Sequence, residues 1–138
     1  MAKSIRDAMT TKPASLPATA TVADAAQQMR NLDIGDVLIE EGGRLAGIIT
    51  DRDLVVRAIA EGRDVTAKLG DIVSSEVVCI TPTDTADDAI RLMREHALRR
   101  VPVVENGKPI GIVSLGDLAA ERDPDSVLGE ISNAQPNK

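Results

Sequence analysis

Two short stretches of this 138-residue chain set a hydroxyl and a carboxylate three residues apart behind a Gly-apolar-apolar run. The first is Gly47-Ile48-Ile49-Thr50, followed by Asp53; the second is Gly111-Ile112-Val113-Ser114, followed by Asp117. Each reads as a strand end running into the first turn of a helix, where residues three apart face one point. A carboxylate there can accept both hydrogen bonds of a vicinal diol such as a ribose. The hydroxyl and the free N–H groups of the helix start can receive a phosphate. The same residues also suit a plain helix cap, with Thr50 as N-cap and Asp53 completing a capping box. On chemistry alone the cap is the stronger reading, because such caps are common. A further feature is Arg99-Arg100, directly before Val101-Pro102-Val103-Val104. Two guanidinium groups at a strand mouth can hold a phosphate. They can equally stand in solvent or pair with the acidic surplus.

The remaining reactive side chains form no pattern. His96, the single histidine, lies near a helix end, where a cation suits the dipole, and reads as structural or superficial. Cys79 is the single cysteine, so no internal disulfide can form; its apolar run Val77-Val78-Cys79-Ile80 reads as a buried structural thiol. No His/Cys/Asp grouping has metal-ligand spacing, and Walker, Gly-x-Ser-x-Gly and Gly-x-Gly-x-x-Gly motifs are absent. The chain reads as non-enzymatic, with no required cofactor and no metal.

The elements that must position these residues come from a chain that contains itself twice. An offset of 64 residues lays Thr21-Val-Ala-Asp-Ala25 on Thr85-Ala-Asp-Asp-Ala89, and Gly47–Leu54 on Gly111–Leu118, without a gap. A repeat this small buries a poor core alone, so two copies share one globule. Thr21 and Thr85 open helices, with Asp24 and Asp88 as acidic capping-box partners and Val22, Ala25, Met29 or Ala89, Met93 at helical spacing. Strands are expected at 36–40, 44–50, 77–80, 100–105 and 108–114. Short helices are expected at 5–9, 68–73 and 115–120, and longer ones at 51–60 and 125–131. Leu54, Val55, Ala58 and Ile59 fall on one side of the 51–60 helix. Gly42-Gly43 and Asn106-Gly107 turn two hairpins, and Pro102 marks an edge or irregular position. The expected division is 1–65, 66–122, and a C-terminal helix with a frayed tail at 123–138.

Composition narrows the partners. The net charge is −6, from 22 acidic and 16 basic residues, which argues against broad binding to nucleic acid or anionic membrane. Phe, Tyr and Trp are all absent, so no base can stack on an aromatic ring. No run approaches the roughly 20 apolar residues of a membrane span, and no N-terminal stretch resembles a signal peptide. The expected location is the cytoplasm.

Taken together, the motifs resemble a tandem pair of cystathionine-β-synthase (CBS) domains, a Bateman module, over roughly residues 3–120. The resemblance is carried by Ile5-Arg-Asp-Ala-Met9, Thr21–Ala25, Met29-Arg30, Ile34-Gly35 and Leu45–Leu54. In the second copy it is carried by Thr85–Ala89, Met93, Arg99–Val104 and Ile110–Leu118. The format is similar to small stand-alone bacterial CBS proteins, including the hypoxia-response type. The resemblance implies an α/β fold (α+β by some schemes) of two β-α-β-β-α repeats packed about a pseudo-two-fold axis. It also implies a homodimer and clefts for adenosine compounds: AMP, ADP or ATP, with S-adenosylmethionine and NAD in the same set. The implied job is regulatory, delivered in trans to an unidentified protein; the alternative is a ligand-independent scaffold with vestigial clefts.

Carried over residue by residue, the resemblance makes Thr50 and Asp53 the ribose-holding pair of one cleft, and Ser114 and Asp117 that of the other. Arg99 and Arg100 become the phosphate contacts. In the family, each carboxylate shares a cleft with residues ahead of the other repeat's central strand. Asp53 then works with Arg99 and Arg100, with Arg52 as a further contributor, and Asp117 with Gly35 and Asp36. Two like charges about 4 Å apart repel by roughly 4 kcal/mol at an effective dielectric of 20, so the second cleft should reject a phosphate. Leu115-Gly116, where the first copy has Asp51-Arg52, weakens that cleft further. Arg57 and Arg63 cannot be placed from sequence.

Overall fold

The computed structural model describes residues 4–74, 77–122 and 131. They fall into two compact units: Pro13–Val77, here the front unit, and Met1–Lys12 with Val78–Lys138, the rear unit. The C-terminal helix and tail expected from 125 onward lie outside the described residues, apart from Ile131.

In the front unit, β2 (Ser15–Pro17), β3 (Asp36–Glu41) and β4 (Arg44–Thr50) form a sheet in the order β2-β3-β4. Here β2 runs parallel to β3, and β3 antiparallel to β4. Helix α2 (Val22–Leu32) begins at the expected capping box: Asp24 N–H donates to Thr21 Oγ1 at 3.2 Å and Thr21 N–H to Asp24 Oδ2 at 2.9 Å. Its Val22, Ala25 and Met29 join Val37, Ile39 and Ile49 of the sheet, with Leu54, Ala58 and Leu69, in one core. In the rear unit the order is β1-β6-β5, from Thr10–Thr11, Lys108–Ser114 and Arg100–Glu105. Helices α4 (Ala86–His96) and α5 (Leu115–Arg122) accompany it. Ala89, Met93, Val101, Val103, Val113 and Leu118 form its core. Both hairpins close on two residues with positive φ, Gly42-Gly43 and Asn106-Gly107, as a two-residue turn between right-twisted strands requires. Both strand pairs slip register at matching points, after Ile39 and after Val103.

Each core is completed by a turn that lies elsewhere in sequence from the repeat it joins. Helix α1 (Ile5–Ala8) seats in the rear unit, where Ile5 N–H donates to the Asp84 carbonyl at 2.8 Å and Arg6 N–H to Pro82 at 3.1 Å. The 3-10 turn Leu69–Asp71 seats in the front unit by the same two bonds: Leu69 N–H to Ala20 at 2.8 Å and Gly70 N–H to Ala18 at 2.9 Å. Ile5 and Leu69 are fully buried. The compact units therefore interleave the two ends of the repeats: the N-terminal helix packs with the second repeat, and the Leu69–Asp71 turn with the first. The glycines of β4 and β6 admit the segments behind these turns. A Cβ at Gly111 would lie 2.8 Å from the Thr10 carbonyl, and one at Gly47 would meet Val73.

Three local expectations change. The 77–80 strand reduces to a single parallel bridge, Ile80 to Val103. In the front unit the matching ladder is extended by Leu38 N–H to the Ala14 carbonyl at 2.8 Å, and Pro102, at the corresponding place, has no N–H to give. Cys79 is exposed rather than buried, since side chains alternate along extended chain and Ile80 takes the core side. Partial desolvation still pushes its thiol pKa up, which disfavours the thiolate. The 51–60 helix has one α turn, α3 (Asp51–Asp53), and then winds as a π-helix over Leu54–Ile59, with Ala60 N–H bonded to the Val55 carbonyl at 2.8 Å. Leu54 and Ala58 point inward, while Val55 and Ile59 are more than half exposed, so the expected apolar side is split.

Because the other buried residues of Ile5's core begin at Ile80, its place near the N-terminus understates its weight. Ile5→Ala should cost about 2–5 kcal/mol, as a core truncation does, and Leu69→Ala a similar amount, read by urea unfolding followed by far-UV circular dichroism. Hydrogen bonds from Thr85, with the Arg91 guanidinium 2.7 Å away, hold the Asp88 carboxyl below the ordinary carboxylate value. Its contribution to stability is complete above that value and is lost as pH falls through the lowered one. Asp88→Asn should therefore flatten the acid limb of the stability profile and leave its neutral-to-alkaline shape unchanged.

Candidate functional site

The two hydroxyl–carboxylate pairs are built alike. Strand β4 ends at Thr50, whose backbone is still extended (φ −110°, ψ 165°), and the next residue begins α3. Asp53 N–H donates to Thr50 Oγ1 at 3.1 Å, and Thr50 N–H donates to Asp53 Oδ2 at 2.9 Å. In the rear unit, Asp117 N–H donates to Ser114 Oγ at 3.0 Å and Ser114 N–H to Asp117 Oδ2 at 3.2 Å. Each pair is thus a complete capping box, and all four residues are half-buried. The box fixes the carboxylate rotamer and commits one oxygen, Oδ2, to the backbone. What each motif can still offer a ligand is the other oxygen.

The surroundings of that oxygen differ from those expected. In the front unit, Arg57 Nε lies 3.6 Å from Asp53 Oδ1, four residues along the helix. Arg57 also donates from Nη1 to the Ile72 carbonyl at 3.3 Å. Sequence reasoning left this residue unplaced, although an Asp–Arg pair at i, i+4 is a readable signal. Its side chain lines an open hollow of about 520 Å³ with Val56, Glu61, Arg63, Asp71 and Ile72. Arg52 is exposed and donates its backbone N–H to Asp51 Oδ1 at 2.8 Å.

Within each unit, the motif lies beside the start of its own central strand. Asp36 pairs in register with Thr50, and Asp51 N–H donates to the Gly35 carbonyl at 3.0 Å. Arg100 pairs with Ser114, and Leu115 N–H donates to the Arg99 carbonyl at 2.8 Å. The structure therefore brings Thr50 to Asp53 and Ser114 to Asp117, and sets Arg99 and Arg100 at the rear motif's strand. Arg99 is exposed and Arg100 half-buried. Asp53 and the Arg99–Arg100 pair lie in different units. His96 is the exposed last residue of α4. Among the described residues, no group of three His, Cys, Asp or Glu could hold a metal ion, and no helix is long and apolar enough to cross a membrane.

Comparison with known proteins fits this doubled geometry. A family model described as the CBS domain matches twice, over residues 5–59 and 69–123. The CBS domain-containing protein YhcV of Bacillus subtilis is 38% identical over 119 residues, 86% of this chain and 85% of that protein. Hypoxic response protein 1 of Mycobacterium tuberculosis is 37% identical over 101 residues, 72% of this chain and 71% of its own length. A crystal structure of Hypoxic Response Protein I with two coordinated zinc ions aligns with a TM-score of 0.79 at 33% identity, over 85% of this chain and 97% of that one. The CBS domain pair of protein MJ0100, solved with 5'-methylthioadenosine and S-adenosyl-L-methionine, aligns with a TM-score of 0.82, over 91% of this chain and 100% of that one. Its sequence identity is 22%, so that likeness is one of fold.

The cap itself has a measurable weight. Thr50→Val should lower stability by about 1 kcal/mol by removing the acceptor for Asp53 N–H, and Ser114→Ala should do the same in the rear unit. Asp53→Asn should cost less, because an amide oxygen can still accept from Thr50 N–H. Urea titration followed by circular dichroism orders the three.

Proposed function

We propose that this chain, which belongs to the CBS domain family, is a non-enzymatic regulatory module that binds an adenosine-containing ligand and passes the signal to another protein. The observation that carries this reading is the repeated strand-end box. Two half-buried carboxylates are each locked through Oδ2 by their own N-cap, with Oδ1 outside the box and that of Asp53 beside Arg57. A rigid acceptor at a strand end suits a ribose diol. That MJ0100, with the same fold, was solved with two adenosine compounds supports the ligand class.

In this reading Thr50 and Asp53 hold the ribose of an AMP, ADP or ATP molecule, and Arg99 and Arg100 meet its phosphate. Ser114 and Asp117 form the weaker site. The module acts as a homodimer in the cytoplasm, and occupancy shifts its conformation for a regulated partner to read. A second reading has its own observation: four complete capping boxes, at Thr21, Thr50, Thr85 and Ser114, account for the motif residues with no ligand at all. In that case the chain is a scaffold.

Titration calorimetry with AMP, ADP and ATP separates the two. The sensor reading expects about one strong site per chain, most of the heat lost in Asp53→Ala or Arg100→Ala, and little change in Asp117→Ala. Thermal shift with an extrinsic dye gives the parallel test, since a ligand at 100 times its Kd adds about 2.7 kcal/mol to stability. No shift with any of the three nucleotides favours the scaffold. Equal losses at Asp53 and Asp117 contradict the asymmetry.

A further inference from the structure

The side chain that the sequence left unplaced connects the front carboxylate to a distant part of its own unit. Arg57 stands on the π-wound segment with Nε 3.6 Å from Asp53 Oδ1 and Nη1 3.3 Å from the Ile72 carbonyl. Ile72 ends the inserted turn, whose own bonds run Leu69 to Ala20, Gly70 to Ala18, and Ile72 and Val73 to Leu69. One planar guanidinium therefore joins the single carboxylate oxygen left over from the cap to the turn that completes the front core. A fork of fixed geometry can hold two acceptors at once, which a lysine ammonium on a flexible stem does less well. Arg57 also lines the open hollow that Glu61 and Asp71 line, which gives the guanidinium room to move. At the matching position of the rear repeat, 64 residues on from Arg57, the sequence has Glu121, an acid.

We infer that Arg57 is a positioning residue that ties the state of the Asp53 carboxylate to the 69–73 turn. With Asp53 Oδ1 free, Arg57 holds both ends. When a ligand diol takes that oxygen, the guanidinium shifts toward the hollow and its grip on Ile72 changes. Occupancy at one carboxylate is then felt at the segment that leads out of the front unit. The ligand half of this inference rests on Asp53 being the ribose acceptor; the bridge itself does not.

Hydrogen exchange of the intact chain, read at the amides of Gly70, Asp71, Ile72 and Val73, tests both halves separately. Without ligand, Asp53→Asn and Arg57→Gln should each speed exchange there by about two- to five-fold, the range of a partly exposed ion pair. The double variant should be no faster than the faster single one, because both remove the same link. Arg57→Lys, which keeps the charge, should exchange like Arg57→Gln. Unchanged single variants, fully multiplicative effects, or full rescue by lysine would overturn the bridge. With AMP as the probe at a concentration that saturates the wild type by calorimetry, exchange at these amides should change at least two-fold in the wild type and not in Arg57→Gln. AMP binding that moves the turn equally in both would also overturn the inference. If AMP gives no heat with the wild type, the nucleotide reading fails, and the ligand-free cycle alone decides on Arg57.

Discussion

The architecture depends on two pairs of backbone hydrogen bonds that seat a turn from outside each repeat onto it. Ile5 and Arg6 reach the carbonyls of Asp84 and Pro82, and Leu69 and Gly70 reach those of Ala20 and Ala18. Backbone bonds of this kind close the core by fixing one buried aliphatic residue, Ile5 or Leu69, beneath the repeat's first helix. They also dictate the glycines. The segments behind the turns run against β4 and β6 where Gly47 and Gly111 leave no room for a Cβ. These are the strands whose ends carry Thr50 and Ser114. The geometry of each carboxylate is thus set from two directions, by its own cap and by the segment pressed on its strand.

Much of this was legible in the sequence wherever the cause is local. The capping boxes at Thr21 and Thr85 and the two-residue turns at Gly42-Gly43 and Asn106-Gly107 follow from the needs of a few neighbouring residues, and the structure has them. Strands β4, β5 and β6 also fall where the pattern put them. What was not legible depends on residues far along the chain. Nothing near Ile5 says that its partner is Asp84. The loss of the 77–80 strand is decided by the missing N–H of Pro102, and the exposure of Cys79 by which face Ile80 takes. The π winding after Asp53 splits an apolar run that reads as one face, sending Val55 and Ile59 outward.

The candidate site shows the same division. Spacing alone proposed that Thr50 meets Asp53 and Ser114 meets Asp117, and both meet by reciprocal hydrogen bonds. Those bonds are the cap, which chemistry alone ranked first, and they do not exclude a ligand. A capped carboxylate is rigid and keeps one oxygen for an outside donor. The two copies then diverge through single residues. Asp53 has Arg57 four positions on, where Asp117 has Glu121. Asp36 pairs in register with Thr50, where Arg100 pairs with Ser114. Duplication supplied two equal frames, and substitutions around them gave each carboxylate its own electrostatic setting.

A crystal structure of the full chain grown with AMP bears most directly on the reading of Asp53 as a ribose acceptor. That reading requires the ribose hydroxyls within hydrogen-bond distance of the Asp53 carboxylate, with the Thr50–Asp53 box intact and the phosphate beside Arg99 or Arg100. AMP found at Asp117 alone, or bound with its ribose turned away from both carboxylates, would contradict it.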